Sequence, residues 1–302
     1  MSKSTKWFLG IAGVLILLAG LFTLVIVTLF LGPRDRTDTV TVGSGDKIAL
    51  VELKGTIISS EEIVRQLKKF RDQSSIRAIL LRIDSPGGGV VPSQEIYEEV
   101  RKVRESGKPV VVSMGSLAAS GGYYVACGAS RIVANRGTLT GSIGVISEFL
   151  QLQDLFSKVG VGFKTVKSGK LKDAGSSARK MTDEEQRYFQ SLIDDVHGQF
   201  KHVVQTERDI DSLTVNALAD GRVFTGEQAV GFGLVDTIGT FEDAVQITAS
   251  LAGIEGEPSI VRERPRRTFW ETMVSDVAEE VRATSKDLLE WPVLSYRYTG
   301  AP

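Results

Sequence analysis

The sequence predicts an α/β domain carried behind an amino-terminal transmembrane helix and followed by an appended carboxyl-terminal helix. Three observations predict it: an uncharged apolar run opens the chain, short apolar runs then alternate with amphipathic segments, and the composition changes near residue 256. With 302 residues, 42% of them hydrophobic, there is ample material for a buried core. The 36 Lys and Arg residues against 37 Asp and Glu leave a net charge of −1, so no overall basic field attracts nucleic acid. Any partner must be recognised locally.

From residue 7 to residue 32 no side chain is ionisable, a run of 26 residues. A helix needs about 20 apolar residues to cross a hydrocarbon core, whereas the apolar part of a cleavable signal peptide covers about 7 to 15. Residues 7–32 are therefore expected to be an uncleaved anchor. Charge does not orient it, because Lys3 and Lys6 before the run are balanced by Arg34 and Arg36 after it. The polar segment 33–45, with Pro33, Gly43 and Gly45, reads as a linker to the domain.

The domain is expected to span 46–255. Apolar runs at 47–57, 77–83 and 108–115 read as buried strands, separated by helical segments at 61–70 and 93–103, which implies a mainly parallel sheet. Shorter strands are expected at 131–134, 144–147 and 162–166, with a helix between the last two. Thr182 and Glu185 have capping-box spacing and open a long helix whose apolar face is Phe189, Leu192, Ile193, Val196, Phe200 and Val203. Further helices are expected near 212–219 and 241–251. The tail, 256–302, begins charged and contains Trp270, Met273, Val274, Val277, Val281 and Leu288 at helical intervals, then ends in an extended or mobile segment.

Several chemistries are excluded. His197 and His202 are the only histidines, and their spacing of five does not place them on one helix face; they read as solvated helix residues, and no Ser-His-Asp triad or HExxH metal motif can be assembled. The single cysteine, Cys127 between Ala126 and Gly128, reads as a small buried hydrophobe. The phosphate loop GxxxxGK[ST] is absent, so nucleotide chemistry is disfavoured, and no cofactor or metal is expected.

A serine can also be activated by a neutral lysine amine. Ser120 lies in GSLAASGGYY, after an apolar strand and at the start of a helix, among small residues that let a substrate backbone approach. The Gly121 N–H, just inside that helix, would point at a developing oxyanion. The same serine could serve simply as a helix cap, and this motif alone does not separate the two roles. In DSPGGGVV three glycines, Gly87, Gly88 and Gly89, follow a strand, which suggests backbone against which another chain lies, with the Gly88 N–H as a second oxyanion donor. The lysine-rich stretch KTVKSGKLKDAGS offers Lys164, Lys167, Lys170 and Lys172 as bases. Lowering a lysine pKa by about three units costs the ammonium form about 4 kcal/mol, which burial can supply, but spacing does not choose among the four.

The amino-terminal span, DSPGGG, MGSLAASGGYY, TLTGSIGV and KSGKLKD, in this order, resemble signal peptide peptidase A, the short single-repeat form of the membrane-bound serine peptidases. The resemblance runs from the anchor to about residue 250. It implies a ClpP/crotonase-like fold of repeated strand-strand-helix units, Ser120 as nucleophile, Lys172 rather than Lys170 as general base, Gly88 and Gly121 as oxyanion donors, and Ser142 as the residue orienting the lysine. It implies a single-pass protein of the bacterial cytoplasmic membrane, with residues 1–6 cytoplasmic and the catalytic domain outside. The implied substrates are remnant signal peptides and other short apolar peptides. The implied assembly is a ring-like homo-oligomer, an octamer being the expected size, in which Ser120 of one protomer meets Lys172 of its neighbour. The competing expectations are a crotonase-like acyl-CoA enzyme and a catalytically inactive membrane scaffold of the same fold.

Overall fold

In a computed structural model of the chain, the described residues are 37–265 and 295–297, with the single positions Trp7, Leu17 and Gly20. The chain enters through β1 (Thr37–Val42) and β2 (Lys47–Lys54), and α1 (Glu61–Asp72) returns it to β3 (Ile76–Ser85). A glycine strand, β4 (Gly87–Gly89), leads into α2 (Val90–Glu105), and β5 (Val110–Ala119) into the short α3 (Gly121–Cys127). Next come β6 (Arg131–Ala134), β7 (Leu139–Gly141), α4 (Gln153–Lys158) and the long α5 (Asp183–Arg208). The order closes with α6 (Ser212–Leu218), β8 (Val223–Thr225), α7 (Gly226–Gly231), β9 (Thr237–Ile238), α8 (Phe241–Leu251), β10 (Ser259–Pro265) and β11 (Ser295–Arg297).

The main sheet runs β1-β10-β2-β3-β5-β6-β9, and β2, β3, β5 and β6 are parallel neighbours. Helices on both faces explain why these runs are continuously apolar rather than half polar. Ile48, Leu50, Leu80 and Val111 pack with Ala244, Val245 and Ala249 of α8. Their neighbours Ala49, Val51, Ile79, Leu81, Val110 and Val112 join Leu67, Phe70, Val100 and Tyr123 in the larger core on the other side. Truncating a residue such as the fully buried Leu81 to alanine would cost about 2–5 kcal/mol.

β5 changes partners along its length. Val111–Ser113 pair with β6, whereas Leu117–Ala119 pair with β7, which in turn pairs with β8. Where the register between β3 and β5 shifts, Asp84 Oδ1 accepts the Leu117 N–H at 3.1 Å. The Gly115 position leaves room for that carboxylate, since a Cβ there would lie 2.7 Å from the Asp84 Cγ. This second half of β5 carries the chain to Ser120.

Three expectations are corrected. The run 144–147 does not form a strand; β7 forms instead at 139–141, where the Thr138 and Thr140 hydroxyls donate to the Gly115 and Ala118 carbonyls at 2.8 and 2.7 Å. The run 162–166 is not a strand either, and Phe163 and Val166 lie exposed with no sheet edge beside them. The polar segment 37–42 and the charged segment 259–265 pair antiparallel, from Thr37 opposite Pro265 to Val42 opposite Ile260, and β10 lies parallel on β2. Charge does not oppose a strand there, because Glu263 is buried against Arg65 and Lys69 of α1, both at 2.6 Å. The expected span 7–32 lies outside the described residues apart from its three single positions, and the expected helix around 270–288 lies wholly outside them. Among the described residues no helix is long and apolar enough to cross a membrane.

Candidate active site

Three strand ends converge. In the β5–β7 ladder Ala119 pairs with Gly141, so Ser120 and Ser142 are each one residue beyond the last pair. Both have positive φ, 54° for Ser120 and 51° for Ser142, a conformation that side-chain-bearing residues resist and that occurs at functional turns. The backbone holds them there: the Ser120 N–H donates to the Gly141 carbonyl at 2.7 Å, and the Ser142 N–H to the Arg222 carbonyl at 2.8 Å. Ser120 is 1% exposed, and its Oγ has no hydrogen-bond partner. It stands at the N-cap position of α3 without capping it, which removes the purely structural role that the sequence left open.

The first N–H groups of a helix have no partner within it, so the Gly121 amide is free of the α3 ladder and lies beside the serine. Two tyrosines fix that helix. The Tyr123 hydroxyl donates to the Leu234 carbonyl at 2.9 Å, and the Tyr124 ring packs edge-on against Tyr97 and Phe200, with centroids at 5.2 and 5.0 Å.

Each of the three glycines has its own reason. Gly87 has φ of 93°; a Cβ on Gly88 would meet the Ile57 carbonyl oxygen at 2.2 Å; one on Gly89 would touch the Pro92 ring at 3.0 Å. Their amides divide equally clearly. The Gly87 N–H donates to Ser85 Oγ at 3.1 Å, and the Gly89 N–H to the Ile57 carbonyl at 2.8 Å. The Gly88 N–H faces the edge away from Ile57, where β11 pairs antiparallel with the glycine strand. The triple glycine suggested another chain along this backbone; in the structure the segment there is β11 of the same chain.

In the lysine loop, Lys172 is exposed, and it is not hydrogen-bonded to the Ser120 hydroxyl in this chain. The other lysines differ in their partners. Lys167 pairs with Asp173 at 2.5 Å and Lys170 with Glu184, while Lys164 and Lys172 have no ion pair among the described residues. Asp173 and Arg179 brace the loop. The guanidinium and Lys167 hold the Asp173 carboxyl well below its usual range, and Arg179 with the Thr182 amide holds Glu185 at about 2.

Burial pushes the Cys127 thiol up to about 12, in keeping with an inert core residue. His202 is exposed as expected, but His197 is not solvated: its Nε2 is buried without a partner, and burial lowers its pKa. Sequence reasoning assigned no role to Ser85, whose Oγ bonds the Gly55 carbonyl at 2.6 Å and orders the glycine strand, nor to Arg222, whose carbonyl holds Ser142. Ser85 sits inside the DSPGGG motif, which is the signal that could have marked it.

A parallel α/β domain that presents a buried, uncapped, strained serine where a strand meets a helix fits a serine peptidase framework of the ClpP-like kind. The Peptidase family S49 profile matches residues 102–255, and the Clp protease profile matches residues 47–143. A Synechocystis protein named as a protease is 42% identical over 264 residues, 85% of this chain and 94% of the relative. An Enterococcus faecium protein bearing the name signal peptide peptidase SppA is 38% identical over 232 residues, 72% of this chain and 67% of the relative. Protease 4 of Haemophilus influenzae is 33% identical over 270 residues, but this chain spans only 43% of its length. The chain belongs to peptidase family S49 and is of the signal peptide peptidase A type.

Proposed function

We propose that the protein is a membrane-anchored serine endopeptidase that hydrolyses remnant signal peptides and other short apolar peptides through a Ser120–Lys172 dyad. The observation that carries this reading is the Ser120 hydroxyl, buried and unpartnered on a strained turn at the start of α3. Neutral Lys172 accepts the Ser120 proton as Oγ attacks a peptide carbonyl, the Gly88 and Gly121 amides hold the oxyanion, and the lysine returns the proton to the leaving amine. A water activated by the same lysine then releases the acyl group. Ser142, next to Ser120 across the β5–β7 ladder, orients the amine.

The missing bond between Lys172 and Ser120 within one chain supports an active site shared between protomers of a ring-like homo-oligomer, for which an octamer is the proposed size. Exposed Leu150, Leu155, Val159, Phe163, Val166 and Leu171 give the lysine region apolar surface for such a contact. Burial there would supply the desolvation that a neutral lysine requires. Residues 7–32 serve as the anchor and residues 1–6 stay cytoplasmic, while the peptidase domain stands on the outer face of the bacterial cytoplasmic membrane. The proposed peptidase core of 46–255 is extended at the sheet edge by the strands 37–42 and 259–265.

The decisive experiment compares the full chain in detergent with Ser120→Ala, Lys172→Ala and Lys170→Ala variants on an apolar peptide and a serine-directed fluorophosphonate. Hydrolysis should vanish in the first two and persist in the third. Undiminished hydrolysis in both Ser120→Ala and Lys172→Ala would sink the dyad, and loss in Lys170→Ala alone would move the base by two positions.

A further inference from the structure

His197 puts a polar side chain in an apolar row of α5. Residues 193, 197, 200 and 204 line one face of the helix, and Phe200 and Val204 in that row are fully buried. A leucine there would pack without a polar atom to satisfy. The imidazole instead lies against two backbone segments. The Ile143 and Ala219 backbone groups both favour its protonated form, so both turn their carbonyls toward the ring. Burial first, and the Lys201 charge second, outweigh them and keep the ring neutral. Neither carbonyl accepts a backbone N–H among the described residues. The neutral ring has one N–H and serves one carbonyl at a time, and its Nε2 is buried with no bond of its own.

These two segments are the walls of the Ser142 turn. Ile143 follows Ser142 directly, and Ala219 leads through Gly221 to Arg222, whose carbonyl accepts the Ser142 N–H at 2.8 Å. The walls touch backbone to backbone, since a Cβ on Gly144 would stand 3.3 Å from the Gly221 Cα. The β7–β8 ladder joins them only as far as Gly141 opposite Val223. Beyond it the left-handed backbone of Ser142, at φ of 51°, persists only if its surroundings insist on it. The α6 side of the turn is fixed on α5 as well, because Lys201 Nζ donates to Asn216 Oδ1 at 3.0 Å.

We propose that His197 is a positioning residue of the active site: from α5 its ring ties the Ile143 segment to the Ala219 segment and so holds Ser142, the group that orients Lys172, on its turn. This rests on the Ser142 reading. The ring reaches neither the substrate nor the reacting atoms and acts through the turn alone. A turn that relaxes to ordinary backbone carries the Ser142 hydroxyl away from the amine, which slows proton transfer and leaves peptide binding as it was.

The test compares the full chain in detergent with His197→Phe, which keeps a ring but has no N–H, and His197→Gln, whose amide offers two N–H donors. On an apolar peptide kcat should fall about tenfold in His197→Phe, the effect of about one hydrogen bond, with KM changed less than about twofold. His197→Gln should keep at least about a third of wild-type kcat. Amide hydrogen exchange at 141–145 should run about tenfold faster in His197→Phe and near the wild-type rate in His197→Gln, with α5 unchanged in both. Unchanged kcat in His197→Phe, an equal loss in both variants, or faster exchange along the whole of α5 overturns the proposal, because a residue that merely fills space behaves so. Should Ser142→Ala keep wild-type kcat, the lysine-orienting reading fails and exchange decides the tie separately. Unchanged exchange at 141–145 in His197→Phe then overturns the tie.

Discussion

Ser120 holds two unfavourable features at once, a positive φ worth about 1–3 kcal/mol of strain and a buried hydroxyl without a partner, worth about 1–3 kcal/mol more. A serine that capped α3 would be missed on removal, at about 1 kcal/mol. One that serves chemistry would not. Ser120→Ala should therefore leave the melting temperature unchanged or raise it while abolishing fluorophosphonate labelling; a clear drop in melting temperature would return the residue to a structural role. The position of this serine was legible in its small-residue motif. Its conformation was not, because the φ of Ser120 is imposed by the Gly141 carbonyl and the β7 ladder, which the chain reaches only 20 residues later.

The loop that carries Lys172 is held by a chain of charges: Lys167 to Asp173, Asp173 to Arg179, and Arg179 to Glu185. Glu185 also closes the capping box of α5 with Thr182. Both carboxyls sit below their ordinary values near 4, chiefly through Arg179, so their stabilisation is complete above about pH 4.5 and is lost as pH falls through the folded values. Backbone resonances of residues 167–185 should hold their shifts from pH 7 to about 4 and move together only below about pH 3; a transition centred above pH 6 would contradict this linkage. The capping box could be read from Thr182 and Glu185 alone, since its geometry is local. The lysine could not, because Lys170 and Lys172 differ by a tertiary partner, Glu184, rather than by spacing. The same limit explains 162–166, an apolar run that finds no edge to pair with.

At the scale of the molecule, the alternating pattern announced the parallel sheet, and its two apolar faces followed from the unbroken runs of β2, β3 and β5. The carboxyl-terminal half of α5 buries Phe200 as its periodicity required, with Val204 rather than the expected Val203 fully buried beside it, whereas Leu192 near its other end stays 37% exposed in the single chain. A shared active site makes a sharp demand on mixed assemblies. Ser120→Ala and Lys172→Ala proteins, each inactive, should regain about a quarter of wild-type turnover when unfolded and reassembled at equal ratio, since a site between two independently drawn protomers is intact that often. No recovery despite oligomer formation would confine the dyad to one chain. The pairing of β1 with β10 also fixes how far the enzyme can stray. Thr37, the first residue of that ladder, is five residues beyond position 32, and five extended residues reach at most about 17 Å. On the proposed anchor, the sheet edge is leashed within that distance of the lipid surface. Such an enzyme patrols a thin shell, meeting peptides that lie on the bilayer often and proteins that stand off it seldom, so geography selects its substrates alongside the fit of their side chains.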